Sequence, residues 1–498
     1  MATDRGWSHL SRPTVWVGAV GILLGIVVGV LSNAQPLSLV LIVAAIAASI
    51  FLFIFFRNFE QVVLGLLILR SALDPFSAQQ VPSVFAVGVN LLILLYIIKL
   101  LLSRQKIQTD GFWWFIAGWF GLQLLWVILL PLGGLGLSAS HVGGWLVGLR
   151  EWIRGFSWVM FYLMVMQLKD RVHPEKVVSA LFLSLIIPLT GAALQVIVPP
   201  SKLPKFLVFE RGYSIEAGSR INGTLGHPNV FAIFCVFFIA LVLWKLGQAK
   251  NRLPWLILIG ALAFFLVSTK SLTGLLMIVV FIPAFLAPKL NVVNLIGGIF
   301  LFGVIIVLFV SSPLGHERLQ SLYATPLLNP DISVSRAIFL QFFDGNSFNW
   351  RVAQWTFLLE VWQRSPIFGY GLDTSRFLTI QESYAHNDYV RFIAEQGIVG
   401  FSLFLILLIA QFARLTQLCR MAPPGSSKRN LCFTMMAFLT AMLAGMLTDN
   451  LWNHTTTFFY WWTVMAVLGW DWERFPESEV EAQGKLPFST INRYPTQT

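Results

Sequence analysis

Pro228-Asn-Val-Phe-Ala-Ile-Phe-Cys-Val-Phe-Phe-Ile-Ala-Leu-Val-Leu-Trp-Lys-Leu-Gly247 carries no charge before Lys245. As a helix rising 1.5 Å per residue, such a run reaches about 30 Å, the thickness of a bilayer's hydrocarbon core. Comparable apolar runs follow one another almost end to end. The chain as a whole agrees: of 498 residues, 57% are hydrophobic and only 11% charged, and the mean hydropathy is +0.75. A soluble domain carries roughly a quarter charged residues. The composition excludes a soluble, secreted or fibrous chain and predicts an all-α polytopic membrane protein.

Working outward from this run places about 14 transmembrane helices, near 14–32, 36–56, 60–74, 84–102, 112–131, 152–168, 175–197, 228–247, 253–269, 272–288, 291–312, 398–418, 431–448 and 455–470. The third is short and interrupted by Arg70. The first lacks a small-residue cleavage site and reads as a span rather than a signal peptide. Lys and Arg enrich short cytoplasmic loops, and the basic clusters Arg104/Lys106, Lys169/Arg171/Lys176, Lys245/Lys250/Arg252 and Arg414/Arg420/Lys428/Arg429 all fall on one side. This parity puts both termini in the cytoplasm, with 471–498 as a polar, glutamate-bearing cytoplasmic tail. The +11 net charge therefore speaks for topology and not for nucleic acid. Cys235, Cys419 and Cys432 lie in or beside apolar runs, which argues against a disulfide framework or a thiolate metal site.

Two long outer loops break the charge rule: about 198–227 and the large loop 313–396. Long loops translocate whatever their charge, and long loops in compact proteins are usually functional. Both are rich in Arg and Lys, which suits an anionic substrate. Four segments carry candidate chemistry.

Ser383-Tyr-Ala-His-Asn-Asp-Tyr-Val-Arg-Phe-Ile-Ala-Glu-Gln-Gly-Ile-Val-Gly400 reads as a short amphipathic helix leading to a turn at Gly397 and then the next span. His386 is the side chain best suited to accept a proton near neutral pH, although a helix-capping or interfacial His fits the same pattern. Asn387 and Arg391 stand beside it. In Arg220-Ile-Asn-Gly-Thr-Leu-Gly-His-Pro-Asn229, Pro228 suits a first helical turn, and His227 and Asn229 can satisfy free amides there. A helix start with Arg220 nearby is a natural anion site, or simply a turn punctuating a span. Arg351, in Asn349-Trp-Arg-Val-Ala-Gln-Trp355, can bind phosphate with two parallel hydrogen bonds or snorkel to a lipid headgroup. Lys270, in Ser268-Thr-Lys-Ser-Leu-Thr-Gly274, is the only charge between Arg252 and Lys289, and a juxtamembrane ion is a functional candidate. Arg150 and Arg154, flanking Glu151, more readily position a helix end.

These residues resemble the O-antigen ligase and polymerase superfamily of bacterial envelope glycan assembly. The resemblance rests on His386-Asn387, nine residues, then Gly397-x-x-Gly400; on Arg220 ahead of Gly223-Thr-Leu-Gly-His-Pro-Asn229; and on Arg351 ahead of Pro366-Ile-Phe-Gly-Tyr-Gly371. It covers about 210–400, within a transmembrane domain of 1–470. The family usually has Arg where this chain has Lys270, which keeps the charge but loses the planar fork. The resemblance implies a membrane glycosyltransferase (GT-C-like) bundle in the bacterial inner membrane, with its active site on the periplasmic side. It implies an undecaprenyl-diphosphate-linked glycan donor, a glycan or lipid A-core acceptor, and inverting transfer without metal or other cofactor. In that scheme His386 is the base, and Arg220, Arg351 and Lys270 bind the diphosphate. A polymerase of the same superfamily and an anion (bicarbonate) transporter are the alternatives.

Overall fold

The computed structural model describes residues 49–77, 79–132, 145–209, 220–289, 292–311, 316, 320, 323–340, 347–379 and 382–473. The expected spans 14–32 and most of 36–56, and all but the first residues of the expected tail 471–498, lie outside them. The chain divides into two compact units, Met1–Val62 and Val63–Thr498. In the first, the described residues form the helix Ser49–Arg57 and the start of Phe59–Arg70.

With no polar alternative along an apolar run, the backbone satisfies its own N–H and C=O groups by coiling. The expected runs accordingly become helices. They are α1 (Val81–Leu102), α2 (Gly111–Leu132), α3 (Trp145–Met166), α4 (Pro174–Leu181), α5 (Ile186–Ile197), α6 (Pro228–Leu246), α7 (Leu253–Ser268), α8 (Leu272–Leu286) and α9 (Val292–Ser311). The large loop contributes α10 (Val334–Leu340) and α11 (Ser347–Trp362), and the C-terminal part α12 (Asp388–Met421), α13 (Ser427–Gly445) and α14 (Thr455–Leu468). No strand occurs among the described residues. Among the described residues, five helical stretches are long and apolar enough to cross a membrane by themselves: Val81–Leu102, Gly111–Ile128, Pro174–Ile197, Pro228–Leu246 and Asp388–Met421. The pair Ser49–Arg57 and Phe59–Arg70 passes the same test together. The expected span 60–74 is thus the twelve-residue helix Phe59–Arg70, followed by a turn in which Arg70 is paired with Asp74 at 2.6 Å.

The core sits around α6 and α14. Phe231 to Val242 of α6 and Thr456 to Leu468 of α14 are all buried, whereas Val292, Val293 and Phe300 of α9 are more than 70% exposed. α6 packs against α7, α8, α13 and α14, and α3 packs against α1, α2 and α14. Small residues let such helices approach where lipid gives no hydrophobic drive to pair. At Gly274 of α8 an added Cβ would lie 2.7 Å from the Ala232 Cβ of α6. That contact sets the N-termini of α6 and α8 side by side.

α12 is two helices joined at Gly397, whose φ of 64° and ψ of −166° break the coil. The expected short helix after His386, turn and span are all present. A Cβ at Gly397 would stand 2.3 Å from the Ile367 carbonyl. The Pro366–Gly371 loop threads through this break: Ile398 N donates to Pro366 O at 2.9 Å, and Gly371 N donates to Glu395 O at 2.7 Å. The two glycine-bearing motifs of the sequence therefore pack on each other, and their glycines serve this crossing.

Candidate active site

Asn229, at the start of α6, joins three other segments. Pro228 occupies the first turn, and His227 caps the helix by accepting from Asn229 N at 3.1 Å. The Asn229 Oδ1 accepts from Arg220 Nη2 at 3.1 Å and from Ser271 Oγ at 2.9 Å. Its Nδ2 donates to Asp449 Oδ2 at 2.9 Å. Arg220 Nε also donates to Thr269 O at 2.9 Å. Lys270, half-buried with φ 56°, is the turn residue between Thr269 and Ser271, so the first two cationic segments form one corner.

Asp449 closes the connection to His386. The His386 Nδ1 lies 3.3 Å from Asp449 Oδ1, which also accepts from Asn450 N at 2.8 Å. The His454 Nε2 is 3.8 Å from Oδ2. Burial of Asp449 opposes its charge. The hydrogen bond from His386 and the neighbouring His454 and His227 imidazoles outweigh that and hold its carboxyl well below the usual carboxylate range. An ionised carboxylate can only accept. Nδ1 of His386 must then carry the hydrogen, which leaves Nε2 with its lone pair as the basic atom, the arrangement that orients a general-base histidine. His386 also has a left-handed backbone, φ 49°, a conformation kept in non-glycine residues only where the surroundings over-determine it.

The large loop reaches the same point through α11. Gln354 Nε2 donates to Ser383 O and Trp355 Nε1 to Ala385 O, both at 2.6 Å. These bonds pin α11 to the segment that ends at His386, and the Trp350 ring meets the His386 ring at 5.7 Å between centroids, 63° between planes. Arg351, half-buried, is one helical turn from Trp355 and shares its face. The structure thus brings Arg220, Lys270 and His386 into one connected region and places Arg351 on the helix bordering it.

The supporting residues serve otherwise. Asn387 is the N-cap of α12, its Oδ1 accepting from Tyr389 N and Val390 N at 3.0 and 3.1 Å. Arg391 is 2% exposed and spent on an internal network: Glu151 at 2.8 Å, Glu395 at 3.1 Å, Asp373 at 3.5 Å, and Asn453. Arg154 joins it through Glu151 and Asn453, while Arg150 is exposed. Arg154 also donates to Trp452 O at 2.9 Å. Within this network burial raises the Asp373 carboxyl to about 7, Glu151 and Glu395 adding to the effect while Arg391 and Arg376 oppose it.

Asp449 was not among the residues singled out from the sequence. A signal existed: a lone carboxylate between two apolar runs is costly unless it has partners, and so is a functional candidate. Glu151 and Asn453, which also immobilise Arg391, carried no local signal, whereas Glu395 stands at i+4 from it.

No curated protein matches this sequence. Residues 257–405, which include Lys270, Arg351 and His386, match the family model described as O-antigen ligase. Over these residues this apolar, membrane-integral chain, helical in its described part, is thus similar to the O-antigen ligase and polymerase superfamily.

Proposed function

We propose that the protein is an inverting membrane glycosyltransferase that moves a glycan from undecaprenyl diphosphate to an acceptor hydroxyl at the periplasmic face. The observation that carries this reading is the connected set Arg220–Asn229–Asp449–His386, a cationic corner joined to an oriented base. The acceptor oxygen attacks the anomeric carbon and its proton passes to His386 Nε2, while the bond from that carbon to the diphosphate oxygen breaks. Negative charge grows on the leaving diphosphate, where Arg220, Arg351 and Lys270 supply positive charge without a metal ion. A preorganised donor of this kind contributes about 3–4 kcal/mol to such a step, and a positioned base about 10²–10⁴-fold.

The orientation has support from the other end of the helices. Lys169, Lys245, Arg414 and Lys428, with Glu175, Asp471 and Glu473 among them, line a cavity there of about 1090 Å³, and Lys and Arg gather at a cytoplasmic face whatever acidic residues accompany them. Fourteen crossings, both termini in the cytoplasm and a GT-C-like arrangement belong to the same proposal. The 313–396 segment is its large periplasmic loop, and 471–498 its cytoplasmic tail.

The test is purified protein with an undecaprenyl-diphosphate-linked glycan and candidate acceptors in chelator, beside His386→Ala. Transfer of one finished glycan to a lipid A-core acceptor, absent in the variant, is the expected result. A ladder of glycan lengths would instead assign a polymerase. Transfer that persists in His386→Ala overturns the role of the base, and anion flux in vesicles without any transfer would assign a transporter.

A further inference from the structure

We infer that Ile367 and Phe368, in the Pro366–Gly371 loop, insert into the outer edge of the bilayer and anchor the large loop there. The inference rests on α2 and α12 crossing the membrane and not on the transfer reaction. It starts from an apolar patch at the break in α12. Ile367 is 57% and Phe368 52% exposed, and Ile398 and Val399, where the helix resumes, are 52% and 37% exposed. A contiguous exposed apolar patch marks an interaction surface.

The bonds of the tip give its depth. Phe368 O accepts from Trp126 Nε1 at 2.8 Å, and Trp126 lies inside the stretch Gly111–Ile128, long and apolar enough to cross a membrane. Trp126 stands six residues before the end of α2 at Leu132, which is about 9 Å along the helix. On either side of it α2 exposes Leu125 and Ile128. Pro366 O accepts from Ile398 N at 2.9 Å and Ile367 O from Val399 N at 3.1 Å, so the tip is level with the first residues of the span that follows the break. Its apolar surface is continuous with the lipid-facing surface of two spans.

The backbone points the same way independently. Irregular backbone is tolerated at membrane depth only where protein satisfies its polar groups, whereas a loop in water has no such need. All four carbonyls from Pro366 to Gly369 have protein donors: Ile398 N, Val399 N, Trp126 Nε1 and, for Gly369 O at 2.9 Å, Ser365 Oγ. Gly369 N donates to Ser365 O at 3.0 Å, and Tyr370 N and Gly371 N donate to Glu395 O at 3.0 and 2.7 Å. Lipid chains fit this surface, because it offers an outside partner neither a charge nor an unused carbonyl. The anchor also holds α11, which ends just before it at Trp362, and so keeps Arg351 at the membrane surface.

The experiment compares Phe368→Cys, Ile409→Cys and Asp331→Cys in proteoliposomes, each labelled with bimane, for quenching by aqueous iodide and by phosphatidylcholine bearing a nitroxide high on its acyl chain. Cys235, Cys419 and Cys432 are buried, and the unaltered protein gives the background. Ile409, 66% exposed on α12, reports the lipid face of a span, and Asp331, exposed on the large loop, reports water. Iodide quenching of Phe368→Cys should be at least about fivefold below that of Asp331→Cys, since an anion is excluded from hydrocarbon, and the lipid nitroxide should quench it strongly. Ile367→Cys, which keeps the Phe368 ring, should give the same pattern. Iodide quenching equal to that at Asp331 would overturn the inference. Quenching by neither agent, as beneath a second copy of the chain, would also overturn it. Iodide reaching Ile409→Cys would instead remove the premise that α12 crosses, a result distinct from both.

Discussion

Replacing Asp449 with Asn tests the candidate site at its centre, because an amide cannot reproduce the acceptor pattern found there. Asn229 is fixed in orientation: its Oδ1 accepts from Arg220 and Ser271, so its Nδ2 must donate to Asp449 Oδ2. The other carboxylate oxygen faces two donors, Asn450 N at 2.8 Å and His386 Nδ1 at 3.3 Å. If the new NH₂ takes the Oδ2 place, it confronts the Asn229 amide, donor against donor. If it takes the Oδ1 place, it confronts Asn450 N and forces His386 Nδ1 to become an acceptor, which moves the hydrogen to Nε2 and removes the base. Either choice leaves one buried donor unpaired, a cost of about 1–3 kcal/mol in stability. The second also disables proton acceptance, so kcat should fall about 10²–10⁴-fold. The assay is single-turnover transfer from the undecaprenyl-diphosphate-linked donor, with thermal melting in the same detergent. The two residues act as one unit, so Asp449→Asn added to His386→Ala should cost little more than His386→Ala alone. A rate within threefold of the unaltered protein, or strict additivity in the double variant, would refute the reasoning.

Arg351→Lys should lose about tenfold or more in kcat/KM although the charge is kept, because one point charge replaces a planar fork; equal rates would assign Arg351 to lipid anchoring. Gly397→Ala should cost about 2–4 kcal/mol, since the new Cβ would meet Ile367 backbone atoms at 2.3 Å; an unchanged melting temperature would contradict the crossing described above. For Asp373, burial raises the folded-state carboxyl above its ordinary 3.8, to about 7. Its contribution to stability is therefore present below pH 3.8 and lost as pH rises toward 7. Asp373→Asn should accordingly melt higher relative to the unaltered protein at pH 8 than at pH 4, and the reverse order would contradict the sign.

Much of the fold was legible in the sequence because backbone groups in an apolar run have no partner but one another. The boundaries of α6, α7 and α8 fall within two residues of the apolar runs 228–247, 253–269 and 272–288. The turn at Gly397 could likewise be read from its place between an amphipathic segment and a span. Hydropathy could not say which helices are central. α6 and α9 are both almost wholly apolar, yet α6 is the buried axis and α9 presents Val293 and Phe300 outward. Protein interior and lipid are both apolar, so composition does not separate them.

The candidate site divides the same way. His386, Arg220 and Lys270 stood out as ionisable groups near the ends of apolar runs, where a charge needs a reason, and Arg351 by the aromatic residues beside it. Asp449 stands between two apolar runs as well, but its role lies in partners 63 and 220 residues away in the chain. Arg391, within the His386 motif, is held by Glu395 one helical turn on and by Glu151 and Asp373 from two distant segments, which no spacing announces. The sequence by itself determined that the chain coils into apolar helices and which charges stand at their ends. The tertiary structure decided which of those charges meet. A hydrogen bond between distant residues depends on how helices approach, through contacts such as Gly274 on Ala232, and that register is a property of packed surfaces rather than of any local run of residues.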